Sequence, residues 1–150
     1  MIFLIITFCG HSKIADKETV RERLTSEIYN LLSSRYTTFY LGGYGDFDLM
    51  AASVLREMKD SYPNMDRVLV LPYLDRKYDE KLYDSTVYPP LENVPKRFAI
   101  SKRNEWMVEQ ADVVIAYVTH DWGGAVKTLE YAVRKKSQII NIGGVRSDET

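Results

Sequence analysis

A single cysteine, Cys9, leaves this 150-residue chain without the means for an internal disulfide. Chains of this length bury a core without staples, and a lone thiol fits a reducing compartment. No excess of either charge is present: 20 Lys and Arg stand against 21 Asp and Glu, a formal net charge of -1. Surfaces built for nucleic acid are normally basic, so nucleic acid is not an expected partner. The apolar start, residues 1–8, is far below the ~20 residues of a membrane helix. It also lacks the basic lead and small-residue cleavage site of a signal peptide. A cytoplasmic location without membrane contact is the expectation. The chain shows no internal repeat and no low-complexity block, so one domain over 1–150 is expected. Cys9, His11 and His120 match no recognised ligand spacing, and neither a metal nor a cofactor is expected.

What is present is an ordinary globular composition, 45% hydrophobic and 27% charged, with one oddity in its eleven tyrosines. Their amphipathic rings suit a partly wet pocket or an interface. Ile2 to Phe8 is a continuous β-prone run, as expected for a strand covered on both faces. Asp16 is placed to cap a helix whose apolar face is Val20, Leu24, Ile28, Leu31 and Leu32. Thr37 to Leu41 reads as a strand and Phe47 to Lys59 as a helix with a stripe of Leu49, Ala52, Val54 and Leu55. Arg67 to Leu71 is a third strand. Lys102 to Gln110 reads as a helix and Asp112 to Val118 as a fourth strand. Ala125 to Lys136 is a helix with Leu129, Ala132 and Val133 facing inward, and Gln138 to Ile142 is a fifth strand. Between them, Tyr73 to Ser101 is polar and aromatic and holds Pro89, Pro90 and Pro95. Connections this long are usually functional, so a lid or part of a homodimer interface is expected there. Val145 to Thr150 reads as a frayed tail.

Strands alternating with helices imply a parallel sheet with right-handed crossovers. Ligands of such sheets settle beyond the carboxyl ends of the strands, where helix N-termini offer free N–H groups to anions. Three glycine-bearing turns follow strands and fall on that edge: Gly10-His11-Ser12, Gly42 to Gly45, and Gly123-Gly124. None is a Walker loop or a dinucleotide fingerprint. Gly43-Tyr44-Gly45 lacks a third glycine, and Asp46 and Asp48 would repel a pyrophosphate. Asp48 is either an acceptor for ribose hydroxyls or a helix N-cap. Trp122 either stacks on a base or packs on the sheet edge. Arg103 suits bidentate phosphate contact, against a solvated helix start. Glu130, two helical turns past Gly123, is a base or nucleophile if it reaches inward. From spacing alone it is better read as a solvated partner of Lys127 or Arg134.

Taken together, Thr7 to His11, Gly45 to Asp48, Arg103 to Met107, Asp112 to Tyr117 and Trp122 to Ala125 resemble the small YpsA-like branch of the SLOG superfamily. Those Rossmann-like proteins are related to the DNA-processing protein DprA and to LOG-type phosphoribohydrolases. The resemblance implies an α/β three-layer sandwich with a five-stranded parallel sheet in the order 3-2-1-4-5. It also implies a nucleotide-type ligand at the glycine-rich edge. In the LOG branch a Gly-Gly-x-Gly-Thr-x-x-Glu motif works with an upstream arginine to cleave the N-glycosidic bond of a nucleoside monophosphate. Gly123, Gly124 and Glu130 fall on its first two glycines and its glutamate, and Arg103 is placed like the arginine. Val126 and Lys127 replace the third glycine and the threonine, which alters the phosphate cradle.

The leading expectation is a domain that binds a nucleotide or a nucleotide-derived small molecule as a sensor. Its ligand contacts would come from Gly10, His11, Ser12, Gly43, Gly45, Asp48, Asn104, Trp122, Gly123, Gly124, Ala125 and Thr128. The alternative is an N-glycosidase in which Glu130 and Arg103 are catalytic. A protein-interaction adaptor is a third reading.

Overall fold

The structure, a computed structural model, describes residues 3–32 and 36–144. Six strands form one sheet in the order β4-β3-β2-β1-β5-β6. They are β1 (Phe3–Gly10), β2 (Tyr36–Leu41), β3 (Met65–Val70), β4 (Ser85–Val87), β5 (Val113–Tyr117) and β6 (Gln138–Asn141). Every neighbouring pair runs parallel. Four helices join them: α1 (Lys17–Leu31), α2 (Asp46–Met58), α3 (Ala99–Gln110) and α4 (Gly124–Arg134). This is the expected Rossmann-like three-layer sandwich. The five expected strands hold the expected order, and the sheet gains a sixth at its edge.

Side-chain alternation divides the core. Leu4, Ile6 and Phe8 of β1 join Val113 and Ile115 of β5 in a cluster with α1 and α2. Cys9, Val114 and Ala116 point the other way, into a cluster with Val108 of α3 and Ala132 of α4. Helix α1 starts where expected, with the Asp16 carboxylate accepting from Thr19 N at 3.2 Å. It buries Val20, Leu24 and Ile28. Helix α2 is buried on most sides through Phe47, Met50, Ala51, Ala52, Val54 and Leu55. Two expected core positions are instead exposed, Leu49 at 44% and Val133 at 61%. Each lies on the solvent side of a helix whose inward face is already filled.

The Tyr73 to Ser101 connection is not a loose loop. It carries β4, two single 3-10 turns (Glu80–Leu82 and Lys96–Phe98), and the buried side chains of Tyr83 and Leu91. Asp84 fastens it. The Asp84 carboxylate accepts from Arg67 N at 2.9 Å and from Arg67 Nη2 at 2.9 Å, and pairs with Lys59 Nζ at 3.2 Å. Burial acts to raise the Asp84 pKa, but the Arg67 and Lys59 hydrogen bonds outweigh it and bring it down to about 2. The expected tail from Val145, and Ile2 at the start of the expected first strand, lie outside the described residues.

Candidate functional site

In this sheet the chain leaves β1 toward β2 on one side, while β5 pairs on the other. The carboxyl ends of β1 and β5 therefore diverge, and that divergence is where open α/β sheets hold ligands. A cleft of about 500 Å³ opens there. The end of β1 and its turn line it with Cys9 to Lys13, and the β5–α4 turn with His120 and Trp122 to Ala125. Helix α3 adds Ile100, Arg103, Asn104 and Met107, and Tyr44 and Asp48 come from the approach to α2.

Helix α4 presents an open N-terminus to this space. Gly123 caps it at φ +103, with no side-chain hydrogen bond. A Cβ on Gly123 or Gly124 would meet nothing within 4 Å. The unpaired N–H groups of a first helical turn, with the helix dipole behind them, favour an anion. The N-terminus of α2 is closed by contrast. Asp46 N donates to Ser12 O at 2.9 Å, and the Asp46 carboxylate takes Ile14 N at 3.0 Å.

Arg103 is only 3% exposed. Its Nη1 donates to Gly42 O and Val70 O, both at 2.9 Å, and its Nε to Asn104 Oδ1 at 2.8 Å. Those bonds tie α3 to the ends of β2 and β3. Nη2 makes no hydrogen bond to any described residue, which leaves two donors of the five for a ligand. Asp48 is held from below, both carboxylate oxygens lying 3.0 Å from Gly42 N. Burial raises its pKa, opposed by the charge of Arg103 and by the Gly42 and Gly43 N–H groups.

The opposite wall is a pile of rings. His11 stacks on His120 at 3.6 Å and His120 on Trp122 at 3.8 Å. Behind them His11 meets Tyr117 edge-on at 5.8 Å. His11 Nε2 accepts from Thr119 N at 2.9 Å, so this nitrogen carries no proton. Burial, then the neighbouring His120, lowers the His11 pKa. The Trp122 ring is 68% exposed at the mouth. Cys9 lies at the floor, and burial pushes its pKa up to about 12, which leaves it an inert thiol at neutral pH.

Of the expected residues, Gly10, His11, Ser12, Asp48, Arg103, Asn104, Trp122, Gly123, Gly124, Ala125 and Thr128 come together on this one cleft. Gly43 and Gly45 do not line it. They shape the turn before α2 at φ +75 and +90. Glu130 does not line it either and is exposed on α4. Asp48 is not an N-cap, because Gly45 takes that place. Gly10 has a packing reason to be glycine, since a Cβ there would come within 2.2 Å of the Phe47 ring. Lys13, Tyr44, Ile100 and Met107 join the cleft without a signal in the sequence. Among the described residues no group of three or more His, Cys, Asp or Glu could hold a metal.

No family model matches the chain. A UPF0398 protein of Bacillus cereus (strain ATCC 14579) is 21% identical over 138 residues, covering 83% of this chain and 74% of the relative. One of Bacillus thuringiensis (strain Al Hakam) is 24% identical over 139 residues, covering 83% and 72%. Among solved structures, the DNA-processing protein DprA of Streptococcus pneumoniae matches with a TM-score of 0.69 at 17% identity, over 98% of this chain and 53% of that one. The TM1055 protein matches with a TM-score of 0.59 at 15% identity, over 91% and 72%. The chain is similar in sequence to UPF0398 proteins and shares the fold of the DprA and TM1055 structures. The cleft lies where the glycine-bearing turns after β1 and β5 meet. DprA of Helicobacter pylori, described by its single-stranded DNA binding mode, shares the fold with a TM-score of 0.61 at 16% identity.

Proposed function

We propose that the chain binds a nucleotide or nucleotide-derived small molecule in this cleft and acts as a sensor. One observation carries the reading. A buried arginine with two uncommitted N–H groups lines the same cleft as an uncapped helix N-terminus. The helix end favours a phosphate, the arginine offers donors to a polar group of the ligand, and the exposed Trp122 ring offers a face for a base. The N-glycosidase alternative loses support because Glu130, its candidate nucleophile, is exposed and outside the cleft. The single cysteine supports a cytoplasmic setting.

A second reading, single-stranded DNA, draws on the rim. Arg76 lies 5.8 Å from the Tyr44 ring, Lys96 5.5 Å from Tyr73 and Arg97 4.8 Å from Phe98. Alternating aromatic and basic groups suit stacked bases and phosphates. The net charge of -1 weighs against it. The test is a thermal-shift series with nucleoside monophosphates, nucleosides and an oligodeoxynucleotide, with chromatography of each mixture. A shift with monophosphates and no product supports the sensor. Free base supports the glycosidase, a shift with the oligodeoxynucleotide alone supports the second reading, and no shift refutes all three.

A further inference from the structure

We infer that the cleft reads the sugar of its ligand, and that Asp48 and Arg103 together select a ribosyl group over a 2′-deoxyribosyl one. This rests on the nucleotide reading above and narrows it to a ribonucleoside phosphate. Asp48 is the one carboxylate lining the cleft among the described residues. Gly42 N holds both of its oxygens at 3.0 Å. A carboxylate offers about four lone-pair sites, so this clamp fixes the group and leaves acceptor capacity on the cleft side. Arg103 is fixed as firmly by its bonds to Gly42 O, Val70 O and Asn104 Oδ1, with Nη2 uncommitted.

The two groups converge on the bare Cα of Gly42. A Cβ built there would lie 2.8 Å from Asp48 Oδ2 and 3.3 Å from Arg103 Nη2. Yet no Asp48–Arg103 ion pair forms within 4.0 Å among the described residues. An acceptor and a donor thus flank Gly42 without pairing with each other, close enough for one ligand group to bridge them. That arrangement suits a ligand group that donates and accepts at once. An ionised phosphate accepts only, and Asp48 would repel it. An ammonium donates only, and Arg103 would repel it. A sugar hydroxyl does both. The phosphate then belongs at the α4 N-terminus, away from Asp48. A 2′-deoxy sugar leaves the remaining acceptor capacity of Asp48 desolvated without a partner, which is the costly case for a polar group covered by ligand. DNA lacks the 2′-hydroxyl, so the same pair disfavours single-stranded DNA.

Isothermal titration of the full chain with each of the four ribonucleoside 5′-monophosphates, and with its 2′-deoxy counterpart, tests this. The expected result is tighter binding of at least one ribonucleotide by about tenfold or more. In Asp48→Asn that preference should fall to within about twofold. Equal affinity for both sugars in the wild-type chain would overturn the sugar reading and leave the nucleotide reading standing. Absence of binding by every nucleotide would overturn both. If Asp48→Asn does not fold, the wild-type preference decides alone.

Discussion

His11 and His120 lie ring on ring at 3.6 Å, and His11 Nε2 accepts the Thr119 N–H at 2.9 Å. The pair joins the end of β1 to the turn that opens α4, so the wall of the cleft depends on a neutral imidazole. Protonation of His11 would remove the acceptor for Thr119 N and place a charge against a second imidazole.

A pH dependence follows from that contact. Burial and His120 lower the folded-state pKa of His11 below its ordinary 6.5. The unfolded chain then binds the proton more readily, so stability rises with pH in that window. The contribution is whole above pH 6.5 and is lost as pH falls through the lowered value. Melting temperatures between pH 8 and 5 should decline below about 6.5. In His11→Gln, which keeps an acceptor, the decline should shrink. An unchanged slope in that variant would contradict the assignment.

Gly10 and Gly124 should respond oppositely to alanine. At Gly10 the added Cβ meets the Phe47 ring at 2.2 Å inside the core. Overpacking of this kind costs about 1–3 kcal/mol or more. At Gly124, the first residue of α4, it meets nothing within 4 Å. Gly124→Ala should leave stability within about 1 kcal/mol of wild type, because helix propensity favours alanine. Urea unfolding of both variants checks the pair, and equal losses would contradict the packing described.

Asp84→Asn should loosen the β4 connection. Arg67 is buried and depends on Asp84 for two side-chain hydrogen bonds. Leaving a buried charged group short of partners costs about 1–3 kcal/mol. Because the folded Asp84 pKa lies near 2 against an ordinary 3.8, the carboxylate's contribution is whole above about pH 4 and is lost as pH falls toward 2. Hydrogen exchange should quicken at Val70 and Leu71 in the variant at pH 7, since Leu71 N bonds Val87 O across that edge. Unchanged exchange there would show that β4 is held by other contacts.

Much of this was legible in the chain. Continuous apolar runs such as Val113 to Tyr117 gave the buried parallel strands, and Asp16 marked the start of α1 correctly. Strand β4 was not legible. It is three residues long, Ser85 and Thr86 are exposed, and its pairing with β3 is set by tertiary contacts rather than by an apolar pattern. At the site, the glycine turns and Arg103 were readable because strand ends and helix starts fix their place. Spacing alone favoured a solvated Glu130 two turns along α4, and it is exposed there, with Val126, Thr128 and Ala132 in the buried positions. The stack of His11 and His120 joins residues 109 positions apart, beyond any local signal. Asp48 was readable as polar near the ligand, but not its clamp on Gly42 N.

Arg103 carries two duties that a substitution can separate. Arg103→Lys keeps a charge but cannot serve Gly42 O, Val70 O and a ligand together. Binding of a ribonucleoside monophosphate should weaken by about tenfold or more, while its 2′-deoxy counterpart should change little. Titration calorimetry with both ligands checks this, and equal losses would show that Arg103 acts only as a tie between strands.

The most direct measurement is a backbone and arginine side-chain NMR titration of the full chain with ribonucleoside 5′-monophosphates. The expected result is that the Gly123, Gly124 and Ala125 amides and the Arg103 Nε–H shift together and saturate at one affinity. Those groups line one cleft at the end of β1 and β5. Shifts confined to another surface, such as the cavity between α1 and β6 around Arg23 and Asn141, or no saturable shifts with any of the four nucleotides, would contradict the cleft as the nucleotide site.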